Sequence, residues 1–279
     1  MKSKKLTVKK KPTRITKPAD ASAVVYIVGE APMVEEYALL CSGRGYRVLF
    51  HCPQMNSGKM PFESKAIQRQ SRPPVNTSFA LELTNVDLEQ KRRNLELLDK
   101  VLPATTAIVS SSVTVSATEQ ASWIKHTYRL VGCGALPTLS GAPLIEIAPT
   151  VFSPAETVRI VQTFFRSVGK EIELVQDRIG LVFPRILCQM VNEAAFALQE
   201  EIASPQDLDT AMTIGARFPA GPIAWAEKVG LRQVQAVLQA LWKDLGDERM
   251  RGAPLLRQMA LSSSWWKHSQ PSSEERHSR

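Results

Sequence analysis

Between residues 23 and 176, short β-branched apolar runs alternate with segments of helical spacing, and no strand pattern follows them. Such alternation builds parallel sheets, because each crossover must return the chain to the same end of the sheet and does so right-handedly. The apolar runs are 23–29, 46–50, 78–83, "TAIVSSS", "YRLVGCG" and "PLIEIAP". "MVEEYALLCSGRG" has helical spacing and ends on Gly43 and Gly45, which closes a first strand–helix–strand unit. "DLEQKRRNLELLDKVL" is amphipathic, with Leu88, Leu95, Leu98 and Val101 near one face. "SPAETVRIVQTFFRSVGK" reads as a helix with Ser153 as cap and Pro154 in its first turn. Residues 53–77 are rich in Pro, Ser and polar groups and read as a loop. The expectation is an α/β chain with a Rossmann-like, doubly wound domain over 23–176.

From 177 to 262 only helical patterns occur. "PRILCQMVNEAAFALQEEIA" carries Leu187, Met190, Val191, Ala194 and Leu198 on one stripe, with Pro184 at its start. "SPQDLDTAMTIG" opens with Ser204, Pro205 and Asp207 in a capping-box pattern. "LRQVQAVLQALWKDLG" is a further helix. An all-helical second domain is expected.

The net charge of +8 is unevenly placed. Eight Lys and Arg fall in residues 1–18 with no acid, and the 35 basic residues less these eight equal the 27 acidic ones. The body is therefore neutral, which argues against nucleic-acid binding. Segments 1–22 and 263–279 read as disordered tails. Four widely spaced Cys, without a C-x-x-C pair, argue against a metal cluster and for reduced thiols in a cytoplasm. No apolar run is long enough to span a bilayer, and no apolar signal-peptide core is present.

The first strand runs into "IVGEAPMVEEY". A dinucleotide loop there would read G-x-G-x-x-G. Gly29 keeps the first glycine, Ala31 stands at the second and Val34 at the third. Glu30, Glu35 and Glu36 bring negative charge to a helix start that ordinarily attracts a diphosphate.

The order of elements, with "QDRIGLVFPRILCQMVNEA" and "SPQDLDTAMTIGARFPAGPIAWAEKVGL", resembles the 3-hydroxyacyl-CoA dehydrogenase family. Asp177, Gly180, Arg185, Asn192, Glu193 and Ala194 match its domain junction, D-x-P-G-F-x-x-N-R and N-E-A. Asp209, Ala211, Met212, Gly215, Pro219, Gly221 and Pro222 match D-x-A-M-x-x-G-x-x-x-P-x-G-P. The resemblance covers roughly 23–260 and extends to "APLLRQM". It implies a Rossmann domain, a helical domain that dimerises, NAD as cofactor and NAD-linked oxidation of a 3-hydroxyacyl-CoA in fatty acid metabolism.

That reaction needs a base for the hydroxyl proton while hydride leaves for the nicotinamide. By the resemblance, the family's His falls at Gly134 in "VGCGALP", and the Asn of that motif at Leu136 or Pro137. The Glu that orients the His persists as Glu146, the Ser falls at Thr114, the Asn before it at Ser112, and the junction Asn at Pro184. Gly29, Ala31, Met33, Glu82 and Lys91 are the implied cofactor positions, and Lys267 matches a late Lys. Cys52 stands where an acid would grip the adenosine ribose. Ser57, Lys59 and Lys65 remain in the region that meets CoA, without helical spacing. His51 and His126 are the alternative imidazoles of the body. The residues lead to an expectation of impaired or absent oxidoreduction. The alternative is a non-catalytic dimeric scaffold or regulatory relative.

Overall fold

A computed structural model describes residues 23–54 and 60–262. Segments 1–22 and 263–279, and with them Lys267, His268 and His277, lie outside the described residues, as do Ser57 and Lys59.

One sheet holds β1 (Val24–Gly29), β2 (Arg47–His51), β3 (Ile67–Arg69), β4 (Thr77–Leu83), β5 (Ala107–Ser111), β6 (Leu130–Cys133), β7 (Leu144–Pro149) and β8 (Glu171–Leu174). The spatial order is β3-β2-β1-β4-β5-β6-β7-β8. Neighbours are parallel except β6 and β7, which follow one another without a crossover helix. The chain reverses direction across the sheet at β1, between β2 and β4. Sheets of this kind open a crevice there, beyond the carboxyl ends of the strands.

Helices cover both faces, which explains why the strands read as continuous apolar runs. Val25 and Ile27 of β1 pack with α1 (Met33–Ser42) and α4 (Ala155–Ser167). Val24, Tyr26 and Val28 face α2 (Leu88–Val101) and α3 (Ala117–Ser122). The helical part comprises α5 (Phe183–Gln199), α6 (Pro205–Thr210), a π-turn (Ala211–Gly215), α7 (Pro222–Val229), α8 (Leu231–Leu245) and α9 (Pro254–Ser262). Its core joins Leu187 and Val191 of α5 to Ile223, Val237, Leu241 and Leu256. Val113 and Leu136, from loops after β5 and β6, enter this same core, so the two parts share apolar packing.

The D…G-P spacing has a local cause. The Asp209 carboxylate accepts from the backbone N–H of Ile223 at 2.8 Å and Ala224 at 3.0 Å, and so caps α7 from another helix. A Cβ on Gly221 would stand 2.1 Å from Asp209 Oδ1, so only glycine fits.

Some local expectations shift. The segment 53–77 contains the short edge strand β3, and β8 follows α4 at the opposite edge. Ser153 does not cap α4: it donates to the Leu130 carbonyl at 2.7 Å and accepts from Thr150 N–H. On α2, Leu95 and Leu98 are buried while Leu88 is exposed; Lys91 and Asn94 take inward positions instead. Ser204 does cap α6, accepting from Asp207 N–H at 3.1 Å.

Candidate functional site

The crevice at the β1–β4 junction is bridged by side chains of the protein itself. Gly29 ends β1 so close to β4 that a Cβ would meet the Leu83 carbonyl carbon at 2.5 Å. Glu30 then turns across the crevice. Its carboxylate accepts from the backbone N–H groups of Asn85 (3.2 Å), Val86 (2.9 Å) and Asp87 (3.1 Å), where β4 leads into α2. A fourth bond comes from Gln233 Nε2 of α8 at 2.8 Å. Asn85 Nδ2 in turn donates to Gln233 Oε1 and to the Ala135 carbonyl, both at 2.9 Å. Glu30, Asn85 and Gln233 are 4%, 1% and 8% exposed, so this is an interior network.

The start of α1 offers little to a diphosphate. Pro32 has no N–H. Ala31 N–H points to Gln54 Oε1 at 3.4 Å, and Gln54 also receives the Cys52 thiol. Met33 and Val34 are fully buried in the core beneath α1. The Val34 side chain therefore packs inward and does not stand over the loop. Glu36 accepts from Thr138 N–H and Ser140 Oγ, tying α1 to the loop after β6. Glu82 and Lys91 are each 0% exposed and paired to one another. Ser110, Asn94 and the Thr84 carbonyl complete their hydrogen bonds. A buried carboxylate in a central strand requires such a partner.

The second region lies at the domain junction. Gly134 N–H donates to the Glu146 carbonyl at 3.0 Å. A Cβ on Gly134 would stand 3.3 Å from Leu181 Cδ1 and 3.5 Å from Glu146 Oε2. The Glu146 carboxylate accepts from Val182 N–H (2.9 Å) and Phe183 N–H (2.7 Å), at the start of α5. A cavity of about 240 Å³ beside it is lined by Gly134, Leu144, Glu146, Phe183 and Pro184, a mostly apolar set. Thr114 lies elsewhere: it lines a cleft of about 430 Å³ against α8, and its hydroxyl donates to the Asn85 carbonyl at 2.9 Å. Ser112 is buried and its hydroxyl reaches the Cys133 carbonyl at 3.4 Å.

The sequence model of the 3-hydroxyacyl-CoA dehydrogenase NAD binding domain matches residues 60–178, and that of the 3-hydroxyacyl-CoA dehydrogenase C-terminal domain matches 180–270, together more than half of the chain. The chain belongs to the 3-hydroxyacyl-CoA dehydrogenase family. A 3-hydroxybutyryl-CoA dehydrogenase of Clostridioides difficile is 29% identical over 183 residues, 66% of this chain and 65% of that protein. A 3-hydroxyadipyl-CoA dehydrogenase of Escherichia coli is 36% identical over 121 residues, 43% of this chain and 26% of that protein. The chain thus aligns with less than two thirds of the length of these curated relatives. Among solved structures, the (S)-3-hydroxybutyryl-CoA dehydrogenase of Ralstonia eutropha superposes with a TM-score of 0.71 at 24% identity, covering 87% of this chain and 94% of that one. The family's NAD-binding match begins at residue 60, so β1, the Glu30 loop and α1 fall outside it.

Set against the dehydrogenase reaction, the positions carried over by resemblance do not converge. Gly134, Glu146 and Pro184 line one cavity and Thr114 another. Leu181, at the aromatic position of the junction motif, brings its Cδ1 to 3.3 Å from where a Cβ on Gly134 would stand. Neither imidazole of the body has moved in. His126 Nδ1 pairs with Asp99 at 3.1 Å, on α2, and His51 ends β2. Burial, then the charge of Arg69, lowers the His51 pKa. The crevice is bridged by Glu30, Asn85 and Gln233, Pro32 supplies no N–H, and the Ala31 and Val34 N–H groups are engaged by Gln54 and the Glu30 carbonyl. Gln233 and Leu181 were not singled out from the sequence. A Gln on a helix 203 residues from its carboxylate partner carries no local signal.

Proposed function

We propose that this chain keeps the 3-hydroxyacyl-CoA dehydrogenase fold while its own NAD-linked oxidation of 3-hydroxyacyl-CoA to 3-ketoacyl-CoA is impaired or lost. The observation that carries this reading is at Glu146. Both carboxylate oxygens already accept from the start of α5, and Leu181 Cδ1 lies only 3.3 Å from where a Cβ on residue 134 would stand. Removing a hydroxyl proton in step with hydride loss requires a positioned base, and no imidazole stands there. Weak or lost NAD binding belongs to the same reading. The test is oxidation of NADH by purified protein with acetoacetyl-CoA, followed by absorbance. No turnover above the protein-free control is expected; steady multiple turnover sinks the reading.

A second reading, a non-catalytic homodimeric scaffold, is favoured by the surface of α6 and the π-turn. Neither contributes a buried residue, and Ile202, Ile214 and Phe218 are exposed beside them. Exposed apolar side chains of this kind favour an association surface. Light scattering on the eluting protein should give twice the chain mass, and Ile214→Asp should shift it to a monomer; a monomeric wild type removes this reading. The four buried cysteines favour a reducing compartment such as the cytoplasm. Among the described residues, no helix is long and apolar enough to cross a membrane.

A further inference from the structure

We propose that Glu30 is the residue that decides cofactor admission in this chain: its carboxylate occupies the switch-point crevice as an internal latch between β1, the β4–α2 turn and α8. Dinucleotides in open α/β sheets cross that crevice. Here the backbone donors of the β4–α2 turn are already taken by one carboxylate, which accepts three N–H bonds there and one from Gln233. The latch is interior, since Glu30 is 4% exposed. It is also doubly held, since Gln233 Oε1 accepts from Asn85, whose own backbone N–H goes to Glu30. A diphosphate entering beside it would meet a like charge with little water between, and α8 would have to leave the crevice.

The replaced glycines carry less of this effect than their positions imply. Val34 points into the core, and Ala31 adds a single methyl. The obstacle is the residue between Gly29 and Ala31.

The inference rests on the reading of a weakened cofactor site but is tested separately from turnover. Hydrogen exchange on the full chain reads the latch directly. The Asn85, Val86 and Asp87 amides should be protected in the wild type and exchange at least tenfold faster in Glu30→Ala. NADH, followed by its fluorescence, should bind Glu30→Ala at least tenfold tighter than the wild type, while Val34→Ala changes affinity less than twofold. Should Glu30→Ala not fold, Gln233→Met removes the α8 donor to Glu30 and the acceptor for Asn85 but leaves the three backbone bonds to Glu30, and should tighten NADH at least threefold. Unprotected amides in the wild type, or a folded variant that binds NADH no tighter, overturn the latch. Turnover of acetoacetyl-CoA by the wild type would count against the proposed function, and the exchange data would still judge Glu30 alone.

Discussion

Glu146 Oε2 lies 3.5 Å from where a Cβ on Gly134 would stand, yet the carboxylate is held by the amides of Val182 and Phe183. The carboxylate joins the two domains: a strand residue of the sheet caps the first helix of the helical part. Charge at a helix N-terminus and two backbone donors explain why an acid persists in an apolar strand.

Glu146→Gln should therefore act on stability. It keeps one acceptor and should cost about 1 kcal/mol, whereas Glu146→Leu leaves both donors without a partner and should cost about 2–3 kcal/mol. Urea denaturation checks both. Equal midpoints for all three proteins would show that the cap contributes nothing.

Gly134→His puts an imidazole where the resemblance places the family's His, in a space already tight. With Leu181 Cδ1 at 3.3 Å from the new Cβ, overpacking should lower stability by about 1–3 kcal/mol. No NADH oxidation with acetoacetyl-CoA is expected. Thermal melting and the absorbance assay together check this, and restored turnover would mean that the remaining groups suffice.

Lys91→Met should be severe. It leaves Glu82 charged and buried without its ion-pair partner, at a cost of about 3–5 kcal/mol. The double variant Glu82→Leu with Lys91→Met should recover most of that loss. If the pair instead faced a ligand in solvent, the single variant would melt within a degree or two of the wild type.

The acid limb of stability should run partly through Asp99. Burial opposes its ionisation, but hydrogen bonds from Arg129, the Arg129 charge, and bonds from Lys125 N–H and His126 outweigh it and lower the pKa. A carboxyl whose folded pKa lies below its unfolded value stabilises above the unfolded pKa and loses that contribution as pH falls through the folded one. The loss should therefore appear below about pH 4. Asp99→Asn should be less stable at pH 7 and show a flatter decline between about pH 4 and pH 2. A decline parallel to the wild type would assign the acid limb to other carboxylates.

Much of the molecule was legible from periodicity. The strands 23–29 and 78–83 and the α5 stripe of Leu187, Val191 and Ala194 fall where apolar spacing placed them. The segment 67–69 was not legible, because a three-residue edge strand has too few positions to show a period. Ser153 was misread because a Ser before Pro usually caps, whereas here the Leu130 carbonyl competes for its hydroxyl. Glu82 and Lys91 resembled ligand contacts in sequence and are buried against each other in space.

The sequence by itself determined the alternation, the two-part architecture and a glycine at position 134, since these depend on residue type and near-neighbour spacing. Only the tertiary structure decided what the remaining acids do. Glu30 reads locally as a charge in a loop; its four donors come from residues 55 to 203 positions away and meet it only when β4 and α8 close on β1. A carboxylate takes whichever donors the fold brings within 3 Å or so, and that geometry is not written in any short stretch of chain.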